Sequence, residues 1–348
     1  MKRNVKRILS SLAAAAMTAV LLAGCSSDGS SSAPSSGNPA SEGTSSAEKV
    51  SIKVTGLKGP TGVGLVNLWE SQDNGEAKND YEFYLAEAPE DAKNRLVTGD
   101  ADIAAVPTNV AAALYKATEK KVKLLAVNTL GVLQIVEKGD TIQTVADLRG
   151  KTIYTTGQGA NPEYVLNYVL EKNGIDPAKD VTIEFVSTND ELATLLATDE
   201  NVKVAMIPEP SATTAKTKDE SLRTALDMTE AWDEASGGAS RLMMGCVAVR
   251  AEFAEEHPEA VKTFLEEYEA SLKKAQEDLE TTAQLCETYG VIPKAAVALK
   301  ALPGCNLTFV AGEEMKEQIS GYYQVLFDAD PKSIGGELPD DGFYYMAG

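Results

Sequence analysis

The amino-acid sequence predicts an α/β fold with two sheets and a helical C-terminal region. Strand-like apolar runs alternate with helix-like runs over the first two thirds of the chain, the alternation breaks near residues 130–132 and 239–245, and only helix-like runs follow residue 250. The length of 348 residues fits one large or two modest domains.

The predicted elements follow in order. In the first half we expect strands at 50–57, 82–86, 103–106 and 122–128, separated by helices at 63–72, 91–98 and 110–118. In the second half we expect strands at 132–137, 152–155, 181–186, 202–207 and 244–250, with helices at 163–173 and 190–197. The tail then reads as helices at 258–277, 281–289, 293–301 and 313–327. Since a helix between two strands usually makes a crossover, each half should hold a mainly parallel sheet.

The chain is acidic, with 32 Lys and Arg against 52 Asp and Glu, a net charge of -20. A nucleic-acid binder needs clustered basic residues to meet phosphates, so this class is excluded. Hydrophobic residues make up 43% of the sequence, which is enough for a sizeable core.

The N-terminal segment has the layout of a secretory signal. A basic stretch up to Arg7 precedes an apolar run at 8–22, and Leu22-Ala23-Gly24-Cys25 resembles the bacterial lipobox. That resemblance implies cleavage of a signal peptide, residues 1–24, and a diacylglycerol on Cys25. The alternative is an uncleaved anchor helix.

Residues 25–49 are predicted to form a lipidated, Ser-rich tether. Ten of the twenty-two residues at 26–47 are Ser, and with the Gly and Pro among them this stretch cannot bury enough apolar area to order itself. We therefore expect an extracytoplasmic protein that is lipid-anchored to the bacterial cell membrane.

The other cysteines are Cys246, Cys286 and Cys305. A bond between Cys286 and Cys305 would close a loop of about twenty residues, worth roughly 3 kcal/mol in the loop-entropy model, and the sequence leaves open whether that disulfide forms. Cys246 lies in an apolar run, as a buried small residue would. One histidine and no CxxC pair make a zinc site improbable, so we expect no metal and no cofactor.

Two Gly-rich turns, at 58–64 and 155–162, each follow a strand and open a helix. A weak internal repeat relates 101–108 to 202–209, in which a strand ends at Pro and a helix of small residues begins. Helix N-termini at the carboxyl ends of strands present free N–H groups, and open α/β sheets bind ligands there. The alternative is ordinary turn structure.

These segments resemble the solute-binding lipoproteins of bacterial ABC importers, in the branch that binds nitrate, sulfonates, taurine and pyrimidine precursors. The resemblance spans about residues 50–330, and rests on the segments 58–64, 99–104, 145–153 and 255–265. It implies a two-lobed type II periplasmic-binding-protein fold, in which the lobes close on a solute like a hinged clamp. Lobe 1 would be 50–130 plus 245–348, and lobe 2 would be 131–244.

The resemblance also implies the ligand contacts. From lobe 1 and the hinge they are Gly59, Pro60, Thr61, Gly62, Pro107, Thr108, Asn109, Leu130 and Gly131. From lobe 2 they are Thr155, Thr156, Gly157, Gln158, Asn161, Pro208, Glu209 and Ser211. Tyr154, Tyr164, Trp69 and Trp232 are aromatic residues that would stack on a flat ligand or else belong to core or surface.

Glu209 departs from the repeat, because Thr108 stands at the matching position. A carboxylate there would repel an anion and attract an amine, unless it faces away or pairs with Arg241 or Lys58. This argues against a simple oxyanion such as nitrate.

The sequence therefore predicts a monomeric, extracytoplasmic solute-binding lipoprotein that captures a small polar or aromatic molecule and delivers it to an ABC permease. It is not expected to be an enzyme. A sensor that presents the ligand to a membrane receptor is one alternative. An enzyme related to thiamine-pyrimidine synthesis is another, disfavoured because the required His and Cys-rich motif are absent and the single His257 precedes a helix.

Overall fold

The computed structural model describes residues 49–346, whose eleven strands form two sheets. The predicted signal peptide, Cys25 and nearly all of the tether lie outside the described residues. The strands are β1 (Ser51–Leu57), β2 (Asp80–Ala86), β3 (Ile103–Pro107), β4 (Val122–Leu130), β5 (Leu133–Lys138), β6 (Thr152–Thr155), β7 (Thr182–Phe185), β8 (Val204–Pro208), β9 (Leu222–Asp227), β10 (Met243–Arg250) and β11 (Leu307–Ala311).

Thirteen α-helices are assigned within the same range, most of them between strands or in the C-terminal region. They are α1 (Pro60–Val63), α2 (Val66–Asp73), α3 (Pro89–Thr98), α4 (Thr108–Ala117), α5 (Asn161–Lys172), α6 (Asn189–Thr198), α7 (Ser211–Lys218), α8 (Met228–Ser236), α9 (Ala251–Glu256), α10 (Pro258–Glu277), α11 (Leu279–Thr288), α12 (Ala295–Ala301) and α13 (Gly312–Ala329).

The first sheet has the strand order β11-β4-β10-β3-β1-β2, and the second has β7-β6-β8-β5-β9. The predicted α/β fold is confirmed, and both sheets are mixed. In the first sheet β10 pairs antiparallel with β3 and β4, and in the second β5 pairs antiparallel with β8 and β9. The reversal arises because β5 and β10 are the strands at which the chain enters one sheet from the other, so no crossover helix sets their direction.

The C-terminal region is helical as predicted, and it also adds one strand. β11 pairs antiparallel with β4 at the edge of the first sheet. Helix α10 shows why this region folds as it does: Pro258 occupies its first turn, and Val261, Phe264, Tyr268 and Leu272 form a buried stripe at helical spacing. That stripe packs into the main core, which also holds Ile52, Leu124 and Val247 of the first sheet.

Candidate functional site

The carboxyl edges of the two sheets meet where β4 passes into β5. Leu130 pairs with Met243 and Pro107 pairs with Gly245, so β4 and β3 end at the same edge of the first sheet. Only two residues separate β4 from β5, and Leu133 at the start of β5 pairs with Pro208 at the end of β8. The junction between the lobes is therefore lined by the ends of β1, β3, β6 and β8, which lead into α1, α4, α5 and α7.

Polar residues buried in the protein concentrate at this junction. Nine of the eighteen buried polar or charged residues at 49–346 lie at the carboxyl ends of β4, β6 and β8 or in the first turns of α4, α5 and α7. They are Thr108, Asn128, Thr129, Thr155, Thr156, Asn161, Glu209, Ser211 and Thr213. Because buried polar groups need partners, such a concentration is typical of a binding site or of a built polar network.

At the first-lobe wall, Thr108 opens α4 and is fully buried. Its hydroxyl donates to the Met243 carbonyl at 2.7 Å, and its own carbonyl accepts from the Tyr323 hydroxyl at 3.0 Å. Asn109 donates to the Ser333 carbonyl at 3.4 Å. The N-cap residue is Pro107, and no side chain from residues 49–346 caps the first-turn amides of α4.

The predicted corner at 59–62 is tightly packed. Gly59 has a φ of 92°, and its amide donates to the Val291 carbonyl at 3.0 Å. A Cβ on Gly62 would lie 2.1 Å from the Leu57 carbonyl oxygen, so only glycine fits there. Thr61 is half-buried beside Pro60, and its carbonyl accepts from the Asn128 side-chain amide at 3.0 Å.

On the second-lobe side of the junction, some of the predicted site residues are buried and others are exposed. Thr155 is fully buried, and the buried Thr156 donates to the Asn189 side-chain oxygen at 2.6 Å. Gly157, with a φ of 76°, turns the chain towards α5, while Gln158 is exposed. Thr156 therefore holds the loop to α6, and Gln158 does not belong to the buried set.

Asn161 stands at the first position of α5 and is 5% exposed, and its side-chain oxygen Oδ1 has no hydrogen-bond partner among residues 49–346. One turn later on the same helix face, Tyr164 donates to the Asp330 carboxylate at 3.1 Å. The pKa of Tyr164 is raised to about 12, mainly by burial and secondly by the hydrogen bond to Asp330. Asn161 therefore faces the side of α5 that contacts the C-terminal region.

Glu209 is engaged in the second lobe, beside Pro208 and the half-turn that leads to Ser211. Its carboxylate accepts from the Gln134 side-chain amide and from the Thr213 amide, both at 3.0 Å. The two partners considered from the sequence are occupied elsewhere, since Arg241 bonds Gln318 and Lys58 bonds Glu87. The cation beside the Glu209 carboxylate is instead Lys216, at 3.9 Å.

Leu130 and Gly131 form the first crossing between the sheets. Asn306 holds it: its carbonyl accepts from the Leu130 amide at 3.0 Å, and its side chain donates to the Gly131 carbonyl at 2.6 Å. A Cβ on Gly131 would lie 2.3 Å from the Thr229 hydroxyl oxygen. Sequence reasoning missed Asn306, and the only local signal is a polar residue at the end of a Pro-Gly turn.

Two of the four aromatic residues considered as stacking platforms, Trp69 and Trp232, are already packed against other rings. Trp69 is sandwiched between Phe83 and Tyr289, with ring centroids at 4.9 and 4.5 Å. Trp232 is fully buried against Tyr168 and donates to the Ser240 hydroxyl at 3.3 Å. Neither ring has a free face for a flat ligand.

Cys246, Cys286 and Cys305 are all buried free thiols, so the disulfide considered between Cys286 and Cys305 is absent. Burial raises the pKa of all three thiols, that of Cys286 to about 12.

Residues 49–346 contain no group of three or more His, Cys, Asp or Glu side chains placed to hold a metal ion, and none of their helices is both long and apolar enough to cross a membrane. A cavity of about 850 Å³ lies between residues 117–122 and 250–256. It sits at the start of β4, the opposite edge of the first sheet from the lobe junction.

The two mixed sheets, joined by short crossings and meeting at their carboxyl edges, define a two-lobed type II periplasmic-binding-protein fold. Residues 75–293 match the family model described as "ABC transporter, phosphonate, periplasmic substrate-binding protein", and the chain belongs to this family. It is a substrate-binding protein of an ABC import system, which captures a small solute outside the cytoplasm and delivers it to an ABC permease. No curated protein sequence matches the chain.

Solved structures agree with this fold. An ABC transporter protein from Parabacteroides distasonis is 25% identical, with a TM-score of 0.72 over 86% of this chain and 99% of that one. The periplasmic aliphatic sulphonate binding protein SsuA from Escherichia coli is 15% identical, with a TM-score of 0.66 over 86% and 92%. The periplasmic nitrate-binding protein NrtA from Synechocystis PCC 6803 is 16% identical, with a TM-score of 0.52 over 73% and 69%.

Proposed function

We propose that this chain is a monomeric lipoprotein, anchored through Cys25, that binds a small organic solute with an acceptor-rich head group at the lobe junction. The head group would be a phosphonate, sulfonate, carboxylate or similar group. The lobes would be 50–130 plus 245–348 and 131–244, the arrangement that the membership of the two sheets supports. The protein itself would perform no chemistry on the solute.

One observation carries the choice of head group. Helices α4 and α5 start at the junction without side-chain caps, so the first-turn amides of both helices bond no capping side chain from the described residues. Uncapped amides at a helix N-terminus, with the positive end of its dipole, favour a group that accepts several hydrogen bonds.

The proposed contacts include no Lys or Arg. The nearby cations are committed elsewhere, Lys58 to Glu87 and Lys216 to Gln134 and Thr224. The head group would therefore be held by neutral donors, as oxyanions are held at helix N-termini. The family description names phosphonate, and the structural relatives above are named for sulphonate and nitrate.

A thermal-shift panel tests the head group. It contains methylphosphonate, 2-aminoethylphosphonate, ethanesulfonate, taurine and nitrate, with cytosine and spermidine as neutral and cationic comparisons. A compound that binds only the native state at a hundredfold excess over Kd stabilises it by about 2.7 kcal/mol. We expect a phosphonate or sulfonate to raise the Tm; a response to spermidine alone would contradict the proposal.

The lipid anchor has its own test, because Cys25 lies outside the described residues. Expressed in a bacterium, the chain should partition into the detergent phase and carry the mass of a diacylglycerol on Cys25. Cys25→Ala should move to the aqueous phase. Light scattering after size exclusion, with and without a panel compound, tests the monomer.

A further inference from the structure

The hydroxyl of Tyr164, near the start of α5, lies between two acceptors. Its oxygen is 3.1 Å from the Gly159 carbonyl oxygen and also 3.1 Å from Oδ2 of Asp330. A tyrosine hydroxyl carries one proton, so it donates fully to only one of these acceptors at a time. The carboxylate is the stronger acceptor, because a hydrogen bond to a charged group is worth more than one to a carbonyl.

The two acceptors belong to different lobes. Gly159 lies in the turn between β6 and α5, in the second lobe. Asp330 follows α13 and caps the single turn Pro331–Ile334, because its carboxylate accepts from the Lys332 amide at 3.0 Å. That turn packs on α4 of the first lobe. The Tyr164 hydroxyl therefore reaches Gly159 within its own lobe, but reaches Asp330 only while the two lobes lie together.

The contact between Tyr164 and Asp330 lies away from the crossings. Among residues 49–346, every other side-chain hydrogen bond between the lobes involves a crossing, through Met243 or Arg241 at the second or Asn306 at the first. The partner of Arg241 is Gln318, and the path along α13 from Gln318 to Asp330 is about 18 Å, at roughly 1.5 Å per residue. A bond beside a hinge survives rotation of one lobe, whereas a bond at such a distance breaks.

We propose that Tyr164 and Asp330 form a closure latch, in which the Tyr164 hydroxyl donates to Asp330 when the lobes are closed and to Gly159 when they open. This inference rests on the proposed function and its two lobes, and deepens it by naming the groups that hold the clamp shut. Because the hydroxyl keeps a partner in both states, opening costs only the difference between a charged and a neutral acceptor. Tyr164 and Asp330 are thus positioning residues, which act on solute affinity through closure.

Small-angle X-ray scattering on the purified protein without solute gives the first test. Tyr164→Phe removes the donor, and Asp330→Asn removes the charge but keeps an oxygen for the Lys332 amide. Tyr289→Phe is the matched control, because it breaks a tyrosine–aspartate bond of 2.8 Å within the first lobe, to Asp73. The first two variants should have a larger radius of gyration than the unsubstituted protein, and the control should not. Equal radii in all four proteins overturn the proposal.

The second test measures the Kd by calorimetry, with the panel compound that most raises the Tm. Tyr164→Phe and Asp330→Asn should each raise the Kd about fivefold, the difference between a hydrogen bond to a charged acceptor and one to a neutral acceptor. Because both remove the same difference, the double variant should also bind about fivefold more weakly. Tyr289→Phe should stay within about twofold. A Kd raised about 25-fold in the double variant would mean two independent effects and no latch.

The two tests separate the latch from the proposed head group. If no panel compound binds, the head group is wrong, while the scattering result still decides on the latch. If a compound binds and both single variants keep the Kd of the unsubstituted protein, the head group stands and the latch is wrong.

Discussion

The Glu209 carboxylate accepts a hydrogen bond from the side-chain amide of Gln134 at 3.0 Å, across the paired strands β8 and β5. Its second oxygen accepts from the Thr213 amide in the first turn of α7, and Lys216 lies 3.9 Å away. A carboxylate at a helix N-terminus is favourably placed in the helix dipole. Glu209 is therefore a structural residue of the second lobe whose charge is used within the lobe.

Changing Glu209 tests this conclusion. Glu209→Ala should lower the free energy of unfolding by roughly 1–3 kcal/mol, because it leaves the buried donors of Gln134 and Thr213 without an acceptor. Glu209→Gln, which keeps one acceptor oxygen, should lose less. Denaturant titration measures both.

The Glu209→Gln variant also shows whether the carboxylate affects ligand affinity in addition to stability. The Kd of Glu209→Gln for a bound panel anion should stay within about twofold of the unsubstituted value, since Lys216 lies 3.9 Å from the carboxylate and offsets its charge within the lobe. If anion affinity instead rises tenfold or more, the carboxylate faces the ligand, as the repeat in the sequence suggested.

The thiols give a second prediction. Ellman's reagent should find three thiols in the denatured, unreduced chain from Ser26 onward, those of Cys246, Cys286 and Cys305. In the native protein they should react only as fast as the protein opens, because all three are buried and burial raises their pKa values. One thiol in the denatured chain would mean that Cys286 and Cys305 are bonded after all.

Much of the fold follows from local patterns in the sequence. β3 and β8 are predicted because continuous apolar runs followed by Pro are typical of buried strands, and α10 because its apolar residues repeat at helical spacing. β9 and β11 are missed. Both are short and only partly buried, and β11 gains its place by pairing with β4, which lies far away in sequence.

The candidate site is predicted less completely for a physical reason. Gly and Pro mark the turns at 59–62 and 155–162, because these turns need backbone that other residues disfavour. The direction of a side chain such as Glu209, and the position of Asn306 at the hinge, depend on packing between distant segments.

The pH dependence of stability should include a contribution from Asp219. Its carboxylate accepts from the Ser221 hydroxyl at 2.7 Å and from the Ser221 amide at 3.0 Å, and it pairs with Lys138 at 3.0 Å. These interactions lower the pKa of Asp219 to about 2, and the hydrogen bond from the Ser221 hydroxyl contributes most. The pKa of an Asp side chain in the unfolded chain is about 3.9.

Because the folded pKa is the lower one, the stabilisation is complete above about pH 4 and is lost as the pH falls towards 2. Asp219→Asn should therefore unfold at lower denaturant than the unsubstituted protein at neutral pH, with the difference shrinking below pH 4. Glu220→Gln, at an exposed neighbouring position, is the control and should show no such convergence. A constant difference from pH 7 to pH 2 would mean that the ionised carboxylate is not the stabilising form.

Gly321 of α13 lies against the second crossing between the lobes, and the contact leaves no room for a side chain. A Cβ on Gly321 would be 2.6 Å from the Ala239 carbonyl oxygen and 3.1 Å from the Ser240 Cβ atom. Replacing Gly with Ala inside a helix gains about 0.5–1 kcal/mol, whereas overpacking against backbone costs about 1–3 kcal/mol. The cost exceeds the gain, so Gly321→Ala should destabilise the protein.

The neighbouring Ser320→Ala is the matched control, because Ser320 is exposed on the same helix and its hydroxyl bonds only the Glu317 carbonyl. It should leave stability unchanged or slightly raised. Since α13 also reaches the second lobe through Gln318 and Tyr322, displacing it at Gly321 should loosen lobe closure. Small-angle X-ray scattering should then give a larger radius of gyration for Gly321→Ala than for Ser320→Ala. If both variants gain stability and keep the same radius, α13 is not packed against the crossing as described.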